Sequence, residues 1–430
     1  MGRRWPSGRL LATLLCGASV AFAAPVVPAH AGAPDDPQTA LIMGGTFMPT
    51  PSQRWQDAVV ADYINPATGA DHVPVVVPYP ASGASTSIPT GLANLAAAMA
   101  QQPDSQPYVV AGYSQSAQIA VLQKIDMMQS GQPDPDVTFL LLGSGNRPNG
   151  GFLERFDGLV IPGMPGLNFN GAAPTNGDIA TIDVAAQYDA NADFPQYPLN
   201  LVAVLNAFLG FLYTHGGYAD GPLPQLVPAV WPPSQPLVGP FADEYVAGST
   251  DIVRQVTGDT TFYFIPTAEL PLLSPLRTLG VPESWLEIVQ PALRVIVEAG
   301  YDRSVPFGEP VPAQLIPIID PATFLVDFTR AVVQGADNAL ALFGADLPGY
   351  AELMELFDDV RAWTATEIGE PYAQAVSWLN DYINPFTAFT AIEGPIGEAI
   401  QLLFDVSGFQ EYLLDPALGL IGTLGGLVTS

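Results

Sequence analysis

One segment carries the residue types for nucleophilic chemistry: Val109-Val110-Ala111-Gly112-Tyr113-Ser114-Gln115-Ser116-Ala117. An apolar run with strand character meets a helix-forming run, and Ser114 falls at the junction. Such a junction holds a serine in a strained backbone conformation at the head of a helix, with its hydroxyl exposed. Small neighbours are required because strand and helix nearly touch there, and Gly112 and Ser116 occupy the −2 and +2 positions. The pattern is G-x-S-x-S, with Ser116 where glycine is commoner.

A serine hydroxyl needs a base to take its proton and a carboxylate to orient that base. The chain has three histidines, His30, His72 and His215. In the strand–serine–helix arrangement the acid and then the base follow the nucleophile. His30 and His72 precede it, so elimination leaves His215 as the base. The acid is expected just past the carboxyl end of a strand running to Gln187. Asp189 is the first choice, and Asp193 is the alternative acid. Asp183 sits mid-strand and is a poor candidate. The oxyanion of an acyl-transfer intermediate needs two N–H donors. One is expected from Gln115, directly after the serine. The other is expected from Gly44-Gly45-Thr46, at Gly45 or Thr46, where Leu41-Ile42-Met43 runs into a tight loop.

These residues need a scaffold of alternating elements. Strands are predicted at 41–43, 73–77, 108–111, 137–142 and 180–187. Helices are predicted at 90–100, 115–128 and 199–213. The strands are almost wholly apolar, as expected when both faces of a parallel sheet are covered. From about residue 306 the texture changes. Pro306, Pro310, Pro312, Pro317 and Pro321 suggest a linker, and helices are expected at 322–342, 350–366 and 371–383, with Leu353, Leu356 and Val360 forming one face. The apolar end, residues 417–428, is too short to span a bilayer.

Composition narrows the function classes. The chain has 430 residues, 48% of them hydrophobic, with 13 Lys and Arg against 42 Asp and Glu and a formal net charge of -29. Without a basic block to track phosphates, nucleic-acid binding is disfavoured. A single cysteine, Cys16, excludes an intrachain disulfide and Cys-rich zinc sites. No His pair stands at i, i+4, which disfavours metal hydrolysis, and no cofactor is expected. Residues 1–31 read as a signal peptide: Arg3, Arg4 and Arg9, an apolar core from Leu10 to Ala24, and a small-x-small site at Ala29-His30-Ala31, with Ala21-Phe22-Ala23 as a rival. An uncleaved anchor is the alternative. Either way the protein is expected outside the cytoplasm, secreted or in the cell envelope, where peripheral envelope association is open to it.

Gly112-Tyr113-Ser114-Gln115-Ser116 together with Met43-Gly44-Gly45-Thr46 resembles the cutinase-like serine esterases. More closely, residues 40–305 resemble the PE-PPE domain family of mycobacteria and relatives. The carrying stretches are Asn146-Arg147-Pro148-Asn149-Gly150-Gly151, Gln187-Tyr188-Asp189 with Ala192-Asp193-Phe194-Pro195, Tyr213-Thr214-His215-Gly216-Gly217-Tyr218, and Phe264-Ile265-Pro266-Thr267 to Leu270-Pro271-Leu272-Leu273. The resemblance implies an α/β-hydrolase fold, a Ser-Asp-His triad and activity on acyl esters; some members resemble acyltransferases that build trehalose-based lipids. Where that family's usual members carry a PE or PPE helical domain, this chain is expected to carry a signal peptide in its place. Three functions follow: an exported esterase or lipase, an acyltransferase acting on envelope glycolipids, or a non-catalytic lipid-binding envelope protein. The apolar residues between Phe194 and Leu212 either line an acyl-chain pocket or pack against the sheet.

Overall fold

The computed structural model describes residues 37–104, 106–131, 136–159, 168–219 and 252–383. The signal-peptide reading of residues 1–31 and the apolar end at 417–428 lie outside the described residues.

Seven strands form one sheet: β1 (Gln38–Met43), β2 (His72–Val76), β3 (Tyr108–Tyr113), β4 (Val137–Leu142), β5 (Thr181–Ala186), β6 (Val253–Thr257) and β7 (Thr260–Ile265). Their order is β2-β1-β3-β4-β5-β7-β6. All neighbours are parallel except the β6–β7 pair. The architecture is the α/β-hydrolase fold that the resemblance implied, and the alternation of apolar strands and helices accounts for its mostly parallel sheet.

Alternation along each strand sends side chains to two separate cores. On one face Ile42, Val109, Ala111, Leu140, Leu142 and Val184 pack with Trp55 and Val59 of helix α1 (Gln53–Val59). On the other, Leu41, Met43, Val110, Phe139 and Leu141 pack against α2 (Ser87–Met99) and α3 (Gln115–Ser130). A strand such as β4, covered on both sides, therefore carries apolar residues at nearly every position.

The strand order contains a switch point. From β1 the chain moves to the edge strand β2; from β3 it moves the other way, to β4. The loops leaving β1 and β3 thus diverge and leave a crevice at the carboxyl ends of adjacent strands, where open α/β sheets place ligands. Register sets Met43 opposite Gly112, so both loops begin at one level.

Beyond β5 come α4 (Leu201–Tyr213), the β6–β7 hairpin, α5 (Glu283–Glu298), α6 (Pro321–Ala341), α7 (Tyr350–Thr364) and α8 (Glu370–Ile383). Two expectations change. The proline-rich stretch after 305 is no linker over its first turn of chain. Phe307 is buried beside Phe264, the Val311 N–H donates to the Pro148 carbonyl and the Ala313 N–H to that of Arg155. Also, Leu356 and Val360 are exposed rather than forming a packed face of α7. Acidic neighbours such as Glu355 and Asp359 keep that helix in water.

Candidate active site

Ser114 stands between β3 and α3 with φ 56° and ψ -115°. Those angles are strained for any residue with a Cβ, and the surroundings must hold them. Gly112 makes room: a Cβ there would lie 2.5 Å from the Ser116 carbonyl oxygen and 2.8 Å from the Ala117 Cα. Ser116 is buried and acts as a tie. Its hydroxyl accepts from the Tyr113 N–H at 2.8 Å and lies 2.9 Å from the Met43 carbonyl oxygen, to which it donates. The second serine of the G-x-S-x-S pattern thus joins the turn at Ser114 to the end of β1.

The structure brings Ser114, His215 and Asp189 into one chain of hydrogen bonds. Ser114 Oγ lies 2.8 Å from His215 Nε2, and His215 Nδ1 lies 2.7 Å from Asp189 Oδ2. The geometry fits a ring that donates from Nδ1 and accepts at Nε2. Asp189 is fully buried. Its Oδ1 accepts from the Asn191 N–H at 3.0 Å, and its Oδ2 also accepts from the Tyr218 hydroxyl at 2.8 Å. That hydroxyl in turn accepts from the Ala186 N–H at the end of β5. Burial, with Asp189 alongside, holds the Tyr218 phenol well above its ordinary pKa, so it stays a donor. The His215 ring stacks on Phe211 at 4.5 Å and on Tyr113 at 5.1 Å, and the Tyr113 hydroxyl donates to the His215 carbonyl. Gly143, with φ 58°, completes the fit, because a Cβ there would stand 3.0 Å from His215 Cε1.

Asp193 is not part of this chain. It makes two bonds with Arg303, at 2.6 and 3.1 Å, and accepts from the Tyr188 N–H at 2.8 Å. Arg303 also pairs with Glu298, which accepts from the Tyr188 hydroxyl at 2.7 Å. Tyr188 has φ 65° and precedes Asp189. The Asp193–Arg303–Glu298 cluster therefore clamps the strained turn that presents Asp189. A second buttress is the 146–151 stretch. Gly150, with φ 122°, lies so close to the acid loop that a Cβ would stand 2.6 Å from the Ala192 carbonyl oxygen. Asp183 is buried against Arg147, and burial pushes its carboxyl up despite that guanidinium. His72 opens β2 with its ring on Asn65 and Ala70, at the amino end of its strand, whereas Ser114 follows the carboxyl end of the parallel β3. Burial lowers its pKa.

Of the expected oxyanion donors, Gly45 lies against Ser114: a Cβ there would be 3.1 Å from Ser114 Cβ. Thr46 follows it, half-buried. Gln115 opens α3, so its N–H belongs to the unsatisfied first turn of that helix. Its side chain is held away by Ser82 and Ser87. Phe47 comes next in the loop, exposed, with φ 66° and its N–H donating to the Ala81 carbonyl.

Tyr218, Asn191, Gly143 and Arg303 were not singled out from sequence. Tyr218 closes the Tyr213–Tyr218 motif, which is the one signal that pointed its way.

The PE-PPE domain family model matches residues 64–302, more than half of the chain. The chain belongs to the PE-PPE domain family. Esterase PE16 of Mycobacterium tuberculosis (strain ATCC 25618 / H37Rv) is 38% identical over 299 residues, which cover 66% of this chain and 52% of that protein. PE family protein PE3 of the same strain is 34% identical, over 72% of this chain and 64% of its own. SL1278 acyltransferase Chp1, also of that strain, is 28% identical over 68% of each chain. The PE-PPE chain described here spans about half to two-thirds of the length of these relatives. A solved cutinase-like protein from Cryptococcus sp. is similar over 36% of this chain and 79% of its own, at 20% identity and a TM-score of 0.27, too loose a likeness to argue from.

Proposed function

We propose that this PE-PPE protein is an exported serine esterase that hydrolyses acyl esters through an acyl-enzyme on Ser114. The observation that carries the reading is the continuous hydrogen-bonded path from Ser114 Oγ through the His215 ring to the buried Asp189 carboxylate. The relative named an esterase supports the same class.

The steps follow from the geometry. Ser114 Oγ attacks the ester carbonyl carbon as His215 Nε2 takes the hydroxyl proton. Asp189 holds the ring in its Nδ1-protonated tautomer and stabilises the imidazolium. Negative charge on the former carbonyl oxygen is met by the Gln115 N–H and by the loop at Gly45 and Thr46. Collapse breaks the ester bond, and the leaving alcohol takes the proton from Nε2. A water then loses its proton to the same nitrogen, attacks the acyl carbon, and releases the acid and Ser114. Phe211, stacked on the His215 ring, and Phe47, two residues past Gly45, are both exposed and offer apolar surface suited to an acyl group.

Two relatives named acyltransferases, one of them Diacyltrehalose acyltransferase Chp2, favour a second reading. There a sugar hydroxyl replaces water in the second half, and the first half is unchanged. Export rests on residues 1–31. Mass measurement of the protein recovered outside expressing cells tests it; a species lacking residues 1–31 is expected.

The chemistry is tested with an alkyl fluorophosphonate and mass spectrometry of the adduct. One adduct on Ser114 is expected, abolished in Ser114→Ala and slowed in His215→Ala by about four orders of magnitude or more. A native protein that takes no label leaves the non-catalytic, lipid-binding reading. Turnover of an acyl ester with and without trehalose separates hydrolysis from transfer by the masses of the products.

A further inference from the structure

Helix α4 has its large apolar residues on the outside. Toward the domain it presents Ala203, Ala207 and Gly210, with Asn206 among them, all buried. The approach is close: a Cβ on Gly210 would stand 1.9 Å from the Tyr188 carbonyl oxygen. On the outer side stand Leu201, Leu205, Phe208 and Phe211, exposed by 74%, 52%, 50% and 38%, with Phe208 also meeting the buried Phe194 edge to face. Their spacing of four, three and three residues sets them in one row. Burying a Leu or Phe is worth roughly 1.5–3 kcal/mol. A helix selected only to pack on this domain would turn these residues inward. The row ends at the site, where Phe211 stacks on His215.

Charge says what kind of partner the row suits. From Leu199 to Ala219 there is no Asp, Glu, Lys or Arg, although the chain carries a net charge of -29. Exposed apolar residues on α7 are set among acids, as Leu356 is between Glu355 and Asp358. An uninterrupted neutral face on an acidic protein suits an uncharged apolar partner, and the remaining acidity repels anionic headgroups. The outside of a helix is convex, so a broad, yielding surface fits it better than a single extended chain. Among the described residues, no helix is long and apolar enough to cross a membrane.

We infer that the outer face of α4, through Leu201, Leu205 and Phe208, seats the protein on an uncharged lipid surface, with Ser114 at the end of the row facing the layer. The helix lies in the interfacial plane, its apolar side chains below the headgroups.

The test is flotation of the full chain, carrying Ser114→Ala so that no lipid is consumed, with phosphatidylcholine vesicles. The protein is expected to float with the vesicles. L201D/L205D is expected to weaken binding by at least about tenfold, the equivalent of about 1.4 kcal/mol. L356D/V360D adds the same charge on α7 and is expected to bind within about twofold of the parent, since only the row on α4 contributes apolar burial. Vesicles rich in phosphatidylglycerol are expected to bind less. No flotation, full binding by L201D/L205D, equal losses in both double variants, or tighter binding to the anionic vesicles would each overturn the inference. If L201D/L205D melts early, L201S/L205S replaces it with the same expectation. The readout is binding by a protein without its serine nucleophile, so its failure leaves the proposed chemistry standing, and the converse also holds.

Discussion

Ser116 Oγ lies 2.9 Å from the Met43 carbonyl oxygen, and this bond fastens the turn that strains Ser114 to the strand that delivers Gly44-Gly45-Thr46. Ser114 and the Gly44-Gly45-Thr46 loop are thereby held in one frame. Ser116→Ala deprives a buried carbonyl and the Tyr113 N–H of their partner, at a cost of about 1–3 kcal/mol. Denaturant unfolding should show that loss, and kcat on a soluble ester should fall with KM little changed. Ser116→Gly, which restores the commoner pattern, should behave no better, because the missing bond and not the residue's size is at fault.

The two acidic candidates separate by what each mutation damages. Asp189→Asn should lower kcat by about 10⁴ with the fold intact, since the amide favours the wrong imidazole tautomer. Asp193→Asn should do the opposite. It leaves part of the Arg303 charge uncompensated in a buried site and should cost on the order of 3 kcal/mol of stability. Thermal melts beside ester kinetics distinguish them; equal effects on both readouts would contradict the division of roles.

Tyr218→Phe removes one donor from Asp189 Oδ2 and strands the Ala186 N–H. The carboxylate then keeps His215 and Asn191 as partners but loses the brace to β5. A drop in kcat of about tenfold is expected, the value of one buried hydrogen bond. A change in KM alone would show that Tyr218 acts on substrate binding instead.

Glu154 gives a prediction about pH. It is buried, and desolvation raises its carboxyl from 4.5 to about 8. Between those values the folded state holds a proton that the unfolded state has lost. Stability should therefore fall as pH rises through that window, by up to about 1.4 kcal/mol per pH unit from this group. Glu154→Gln should flatten the dependence and raise the melting temperature at pH 8 relative to the native protein. An unchanged pH profile in the variant would count against it.

Much of this site was readable before the fold. β4 is apolar at five of its six positions because both faces are covered, and the β3–α3 junction stands out by small residues around one serine. His215 emerged because the chain has so few histidines. The choice between Asp189 and Asp193 was harder, since both follow the same strand; the partner that decides it, Arg303, is 110 residues further on. Contacts over such separations leave no local periodicity. The β6–β7 hairpin carries a local signal, Gly258-Asp259 between two strand-like runs. The proline-rich stretch reads as a linker because prolines mark any extended chain, whether it hangs free or lies on a surface as this one does. The apolar content of α4 was plain, but its orientation was not, because Ala203, Ala207 and Gly210 are what let that helix lie close.

Arg303 stands one residue past the matched family segment, and Phe307, Val311 and Ala313 dock a little further along. Anyone shortening this protein at residue 302 would delete the cation that steadies the Asp189 loop while leaving Ser114, Asp189 and His215 in place. Such a fragment would look complete by alignment and turn over poorly, and a workable cut belongs beyond residue 316.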